Sequence, residues 1–140
     1  AMAKLGTSDS LSEIALKNDL FLELILDGHH VKNADVFSIL SKAPNRIVAV
    51  TDAMSAAGCS DGQFKIGTLD VTVSNSVAKL SGTNTLAGST LTMLDAFLNF
   101  NNIFGFDQAV RYTSLNPAKV LGVNPYAGYI AIKGREVTYL

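Results

Sequence analysis

Apolar residues fall into two patterns along this chain. Phe21–Leu26 and Ile47–Val50 are short apolar runs, the signature of strands buried on both faces of a parallel sheet. Between them, Val36, Ile39 and Leu40 within Ala34–Ala43 carry the spacing of one helix face, and Pro44-Asn45 closes that helix. The order is strand, helix, strand, and each strand runs into a polar tip. These tips are Asp27-Gly28-His29-His30 and Thr51-Asp52. In α/β sheets and barrels the carboxyl ends of parallel strands hold the chemistry, so both tips are candidate site residues.

Before this unit, residues 3–10 are small and polar and read as a loop. Ser10 can then cap a short helix, with Glu13 in capping-box position. After it, 53–62 is a Gly-punctuated loop. Phe64–Ile66, Leu69–Val73 and Val77–Leu80 follow as an antiparallel ribbon, with alternation at Leu69, Val71 and Val73. Helical spacing returns at Leu91, Leu94, Phe97 and Leu98, with Ser89 or Thr90 as cap and Gly105 as stop. A second helix uses Asp107 as cap or first-turn anion. Asn116-Pro117 opens a third short turn that ends at Gly122. Tyr129–Ile132 and Glu136–Tyr139 form a hairpin around Lys133-Gly134-Arg135.

Composition narrows the function. A chain of 140 residues with 48% apolar content supports a real core, and a net charge of −1 gives no basic footprint for nucleic acid. No apolar run reaches bilayer length, so no membrane partner is expected. Cys59 is the sole cysteine, which suits a reducing, cytoplasmic setting. Ala1-Met2 fits either a one-residue extension before an initiator Met or the start of a segment cut from a longer chain.

The tips admit ordinary readings too. A His pair in a loop is often exposed polar surface, and an Asp after a strand is more often a turn or cap residue. Gly88-Ser89-Thr90 could cradle a phosphate at a helix start, although capping is the commoner role. Spacing by itself gives an α/β domain with a site at its strand ends.

Four segments in order add more: LILDGHHV (24–31), VAVTDAMSAAG (48–58), LAGSTLTM (86–93) and SLNPAKVLGV (114–123). Together they resemble the C-terminal half of the N-acetylglucosamine-6-phosphate deacetylases, of the amidohydrolase superfamily. The resemblance implies the C-terminal part of a metal-dependent (β/α)8 barrel, its last two strands plus helices, with strands of a small β-domain. Residues 1–123 would be the barrel part, carrying the ribbon of about 63–80 as an insertion, and 124–140 the β-domain hairpin. By the same resemblance Asp52 is the general acid/base, His30 contacts the phosphosugar with Asp27, Gly28 and His29 beside it, and Leu86, Ala87 and Gly88 bring backbone groups to the sugar.

In the family a glutamate and two histidines from earlier strands hold a divalent metal, zinc or similar. Zinc sites need at least three protein ligands, and nothing in this chain replaces that set. The family's phosphate-binding arginine has no counterpart in 3–10, where Ser8 stands with only Lys4 nearby. The expectation is a fragment or truncated homologue, inactive alone, that faces a phosphorylated amino sugar. It would work as a homo-oligomer or with a missing N-terminal half. The rivals are a non-catalytic phosphosugar-binding module and the structural half of a split enzyme.

Overall fold

In the computed structural model, residues 11–124 and 128–140 are described. The lead-in with Lys4, Ser8 and the Ser10 cap lies outside the described residues. Strand β1 (Leu22–Leu24) pairs in parallel with β2 (Ile47–Ala49), Leu22 opposite Ile47 and Leu24 opposite Ala49. Helix α2 (Asn33–Lys42) joins them and buries Val36, Ile39 and Leu40, the residues whose spacing predicts it. The short helix α1 (Leu11–Lys17) buries no residue of its own. Arg46 ties it down: its guanidinium donates to the carbonyls of Ala15 (3.1 Å) and Leu16 (3.0 Å) in the last turn of α1 and of Leu20 (2.8 Å) just beyond it.

The strand pair is covered by the C-terminal helices. Helix α3 (Met93–Phe104) starts at Thr92, whose hydroxyl accepts from the Asp95 N–H at 3.1 Å. Thr92 therefore takes the capping role expected of Ser89 or Thr90, because the chain stays extended three residues longer than its apolar spacing suggests. Gly105, at φ 86°, ends α3 and turns the chain into α4 (Phe106–Val110), with Asp107 in the first turn. A π-helical turn (Arg111–Leu115) then leads without a break into α5 (Asn116–Leu121), where a separate third turn was expected. Pro117 explains the wide turn. Proline lacks an N–H and crowds the carbonyl four residues back, and a wider turn relieves both. Gly122, left-handed at φ 67°, ends α5 as expected.

Buried Phe97, Phe100, Ala109 and Tyr112 from these helices pack with Leu24, Leu26, Val36, Ile39, Leu40, Ile47 and Ala49. The Phe100 and Tyr112 rings meet edge to face, centroids 5.3 Å apart. Tyr112 also donates its hydroxyl to the Pro44 carbonyl at 2.8 Å, which lets a phenol sit fully inside. Buried Asn116 donates to the carbonyls of Ile47 (2.6 Å) and Asn45 (3.2 Å), on the side of β2 that β1 leaves open.

The ribbon forms as its alternation predicts. Strands β3 (Gly62–Ile66), β4 (Leu69–Ser74) and β5 (Val77–Leu80) are antiparallel, in the order β3-β4-β5. Val71, Val73 and Ala78 build a second small core with Ala56 and Ala87, while Leu69, beside the tight turn, stays exposed. The terminal hairpin, β6 (Ile130–Lys133) and β7 (Glu136–Tyr139), also forms and is largely exposed. It meets the body through Ile132 and through a 2.6 Å ion pair from Arg135 to Asp95.

Asn116→Ala removes two hydrogen bonds and strands the carbonyl of Ile47, a fully buried residue. It should destabilise the fold by about 1–3 kcal/mol in urea titration, whereas exposed Leu121→Ala should stay within about 0.5 kcal/mol. Equal stability of the two variants would remove Asn116 from the list of groups that hold β2.

Candidate functional site

The tips of β1 and β2 point the same way because the strands are parallel, and Asp27 and Asp52 each stand three residues past their strand. Their surroundings differ. Asp27 Oδ1 accepts from the backbone N–H groups of His29 (2.9 Å) and His30 (3.0 Å), and its Oδ2 lies 2.7 Å from His30 Nδ1. Gly28, at φ 80°, supplies the left-handed step that folds this turn back on its own carboxylate. A carboxylate only accepts, so Nδ1 carries the proton, and Nε2 makes no hydrogen bond among the described residues. Burial pushes the Asp27 carboxyl up, but the two backbone N–H groups and then the His30 ring outweigh it and hold the group below its ordinary value.

Asp52 is exposed, and its carboxylate makes no hydrogen bond among the described residues. Its backbone is left-handed, φ 46°, one of four non-glycine residues among those described with positive φ. The segment 86–91 lies alongside. Ala53 and Ser89 form a parallel bridge, and a Cβ placed on Gly88 would stand 3.1 Å from the Asp52 carbonyl. The Ala87 N–H donates to the Ala78 carbonyl at 3.0 Å, so a backbone donor toward any sugar must be a different one.

Two cavities open beside these residues. One, of about 520 Å³, is lined by Asp27, His29, Thr92, Asp95, Asn99 and Arg135 among others. The second, of about 790 Å³, takes Gly28, His29, Lys79, Asn84 and Leu86 into its wall. His29 lines both, while Asp52, His30, Ala87 and Gly88 line neither. The structure thus gathers Asp27, Gly28, His29 and His30 in one turn, and Asp52 with Gly88 at one contact.

Arg135, Asp95 and Asn99 are wall residues that the sequence does not single out. Thr92-x-x-Asp95 has the spacing of a capping pair and could have been read. The Arg135–Asp95 pair could not, because it joins residues forty positions apart. The hydrogen bond and charge of Arg135 hold the Asp95 carboxyl below its usual range. Among the described residues no three His, Cys, Asp or Glu side chains gather as metal ligands.

Comparison with known proteins agrees with the motifs. No protein-family model matches the sequence. The chain is 39% identical over 110 residues to the N-acetylgalactosamine-6-phosphate deacetylase of Escherichia coli O157:H7, covering 77% of this chain and 29% of the relative. It is 34% identical over 114 residues to the N-acetylglucosamine-6-phosphate deacetylase of Vibrio furnissii, covering 80% and 28%. The solved structure of an Asp-to-Ala mutant of the Mycobacterium smegmatis N-acetyl-D-glucosamine-6-phosphate deacetylase, in complex with N-acetyl-D-glucosamine-6-phosphate, superposes with a TM-score of 0.78 at 35% identity, covering 86% of this chain and 34% of that one. The chain belongs to the N-acetylglucosamine-6-phosphate deacetylase family. It corresponds to the C-terminal part of these proteins and spans less than a third of the length of the two relatives named.

Within this family member, Asp27 gives a pH signature. A carboxyl held below its ordinary value of 3.8 contributes stability that is present above that value and is lost as pH falls through the folded-state pKa. Asp27→Asn should therefore be less stable than the parent at pH 7, with the difference shrinking below about pH 4. Urea titrations from pH 7 to pH 2 measure it, and a difference that stayed constant down to pH 2 would assign the effect to shape rather than charge.

Proposed function

We propose that this chain carries the proton-transferring carboxylate and the sugar-facing rim of an N-acetylhexosamine-6-phosphate deacetylase, with β1 and β2 as the last two strands of a metal-dependent (β/α)8 barrel. The observation that carries the reading is the exposed, unbonded carboxylate of Asp52 at the carboxyl end of β2, beside the Asp27–His30 turn at the same end of its parallel neighbour. Such a carboxylate can take a proton from a water as it attacks the acetamide carbonyl. It can then return that proton to the departing nitrogen, leaving acetate and glucosamine 6-phosphate. On this reading His30, its ring held by Asp27, contacts the phosphosugar, and Leu86, Ala87 and Gly88 bring backbone groups to the sugar.

The divalent metal of the family does not fit the described residues. No triad of ligands gathers there, and the one His–carboxylate pair, Asp27 with His30, is spent on itself. The metal ligands have to come from outside these residues, and so does hydrolysis. A second reading, phosphosugar binding without turnover, is favoured by the 790 Å³ cavity. Lys79 stands in its wall and no carboxylate does.

Purified as it stands, the chain should not deacetylate N-acetylglucosamine 6-phosphate above background, with or without zinc. Metal-stimulated turnover abolished by Asp52→Asn would overturn that. In a preparation that does turn over, with the remaining barrel supplied, Asp52→Asn should lower kcat by about two to four orders of magnitude and change KM much less. Near-normal turnover of that variant would return Asp52 to a turn residue. Calorimetry with the phosphosugar on the unsupplemented chain decides the binding reading.

The strand pair also bears on assembly. A sheet of two strands leaves an unpaired edge on each side, and such edges recruit partners. Asn116 satisfies one carbonyl of the open side of β2 but not the whole edge. Light scattering across a dilution series should show self-association, most simply a twofold dimer. A monomer at every concentration would count against the partial-barrel reading.

A further inference from the structure

Ser89 has three separate attachments to the segment that bears Asp52. Its N–H donates to the Asp52 carbonyl at 2.8 Å, and its carbonyl accepts from the Met54 N–H at 2.9 Å. Its hydroxyl donates to the Thr51 carbonyl, in a short contact, and accepts from the Leu91 N–H at 3.1 Å. Thr51, Asp52 and Met54 are therefore all tied to one serine. That serine is 2% exposed, so it is out of reach of a ligand and its bonds are shielded from water. Its donor is used on Thr51 and one acceptor site on Leu91, both outside α3, and the capping of α3 falls to Thr92.

The Asp52 carboxylate has no hydrogen-bond partner of its own among the described residues. The direction in which the side chain leaves the chain is set by its backbone, and that backbone is left-handed, φ 46°, a region that side-chain-bearing residues seldom occupy. Asp enters that region more readily than most residues, yet something must still hold it there. Gly88 completes the arrangement. It is itself left-handed at φ 65°, and a Cβ there would press on the Asp52 carbonyl at 3.1 Å and on Met54 Cβ at 3.4 Å. Only a glycine lets the strap lie this close.

We infer that Ser89, with Gly88 giving it room, is a positioning residue that sets the left-handed backbone of Asp52 and thereby aims its carboxylate. The catalytic meaning of this clamp rests on the proton-transfer reading of Asp52, but the clamp itself is a statement about geometry and can be tested without turnover.

The test is heteronuclear NMR of the full chain, comparing the parent with Ser89→Ala, Ser89→Thr and Gly88→Ala. Ser89→Ala should move the Asp52 amide and Cα resonances away from left-handed values while those of Phe100 and Tyr112, in the other core, stay put. Ser89→Thr, which keeps the hydroxyl, should restore them. Gly88→Ala keeps every bonding group of Ser89 and should move the same Asp52 resonances through the carbonyl contact alone, so it carries the test if Ser89→Ala fails to fold. Asp52 resonances unchanged in Gly88→Ala, or in a folded Ser89→Ala, would overturn the clamp. In a turnover-competent preparation, Ser89→Ala should lower kcat about tenfold with KM within about twofold, the mark of a misaimed group rather than lost binding. If Asp52 moves as expected but Asp52→Asn turns over normally, the clamp stands and the proton-transfer reading falls.

Discussion

Three backbone pairs, Leu22 with Ile47, Glu23 with Val48 and Leu24 with Ala49, align the two strand ends that carry Asp27 and Asp52. A parallel pair this short cannot hold its own register, since each residue fixed costs about 1–2 kcal/mol of backbone entropy and returns little by itself. What holds it is the packing behind it. Phe100 and Tyr112 press on the strands, the Tyr112 hydroxyl anchors Pro44 just ahead of β2, and Asn116 takes the Ile47 carbonyl. Asn99 donates to the Leu26 carbonyl at 2.8 Å, directly before Asp27. Helices α3 and α5 thus set the two tips from behind, and their own polar residues reach through to the strand backbone.

Those tips carry two carboxylates with opposite fates. Asp27 is consumed locally, both oxygens bonded within its own turn and its proton affinity lowered by those bonds. It serves as an orienter, fixing which nitrogen of His30 is protonated. Asp52 is exposed, and its carboxylate makes no hydrogen bond among the described residues. The division follows from sequence. Asp27 has Gly28 next to it, which lets the chain curl back onto the carboxylate, whereas Asp52 is followed by Ala53 and is pulled sideways by the bridge to Ser89.

The elements most legible in the sequence were those whose signal is local. The 36/39/40 spacing of α2, the alternation at Val71 and Val73, and the stops at Gly105 and Gly122 each declare themselves within a few residues. What was not legible joins distant positions. Arg46 reaching three carbonyls around α1, Arg135 meeting Asp95, and Asn116 meeting Ile47 are long-range choices that no local pattern encodes. Helix α3 starts at Thr92 rather than at Ser89 or Thr90 for a similar reason: both earlier hydroxyls are claimed by other parts of the chain, Ser89 by Thr51 and Thr90 by Ser76.

The same competition for hydroxyls says why the motif around 86–93 is so dense in small polar residues. Thr90 and Ser89 pin the segment to the ribbon and to the Asp52 loop, Thr92 opens the helix, and Gly88 allows close approach. The three hydroxyls have separate partners: Ser89 donates to Thr51, Thr90 to Ser76 and Thr92 to Asp95. The ribbon core and the strand-pair core share no buried residue, yet the segment touches both: Ala87 packs into the ribbon core, and the helix beginning at Met93 brings Phe97 and Phe100 to the other. Eight residues therefore couple the ribbon, the Asp52 loop and the main core. Of the eight, Gly88 and Ser89 reach Asp52, which lies along the chain between Ala49 of one core and Ala56 of the other and whose side chain has no bond of its own among the described residues to resist a change there.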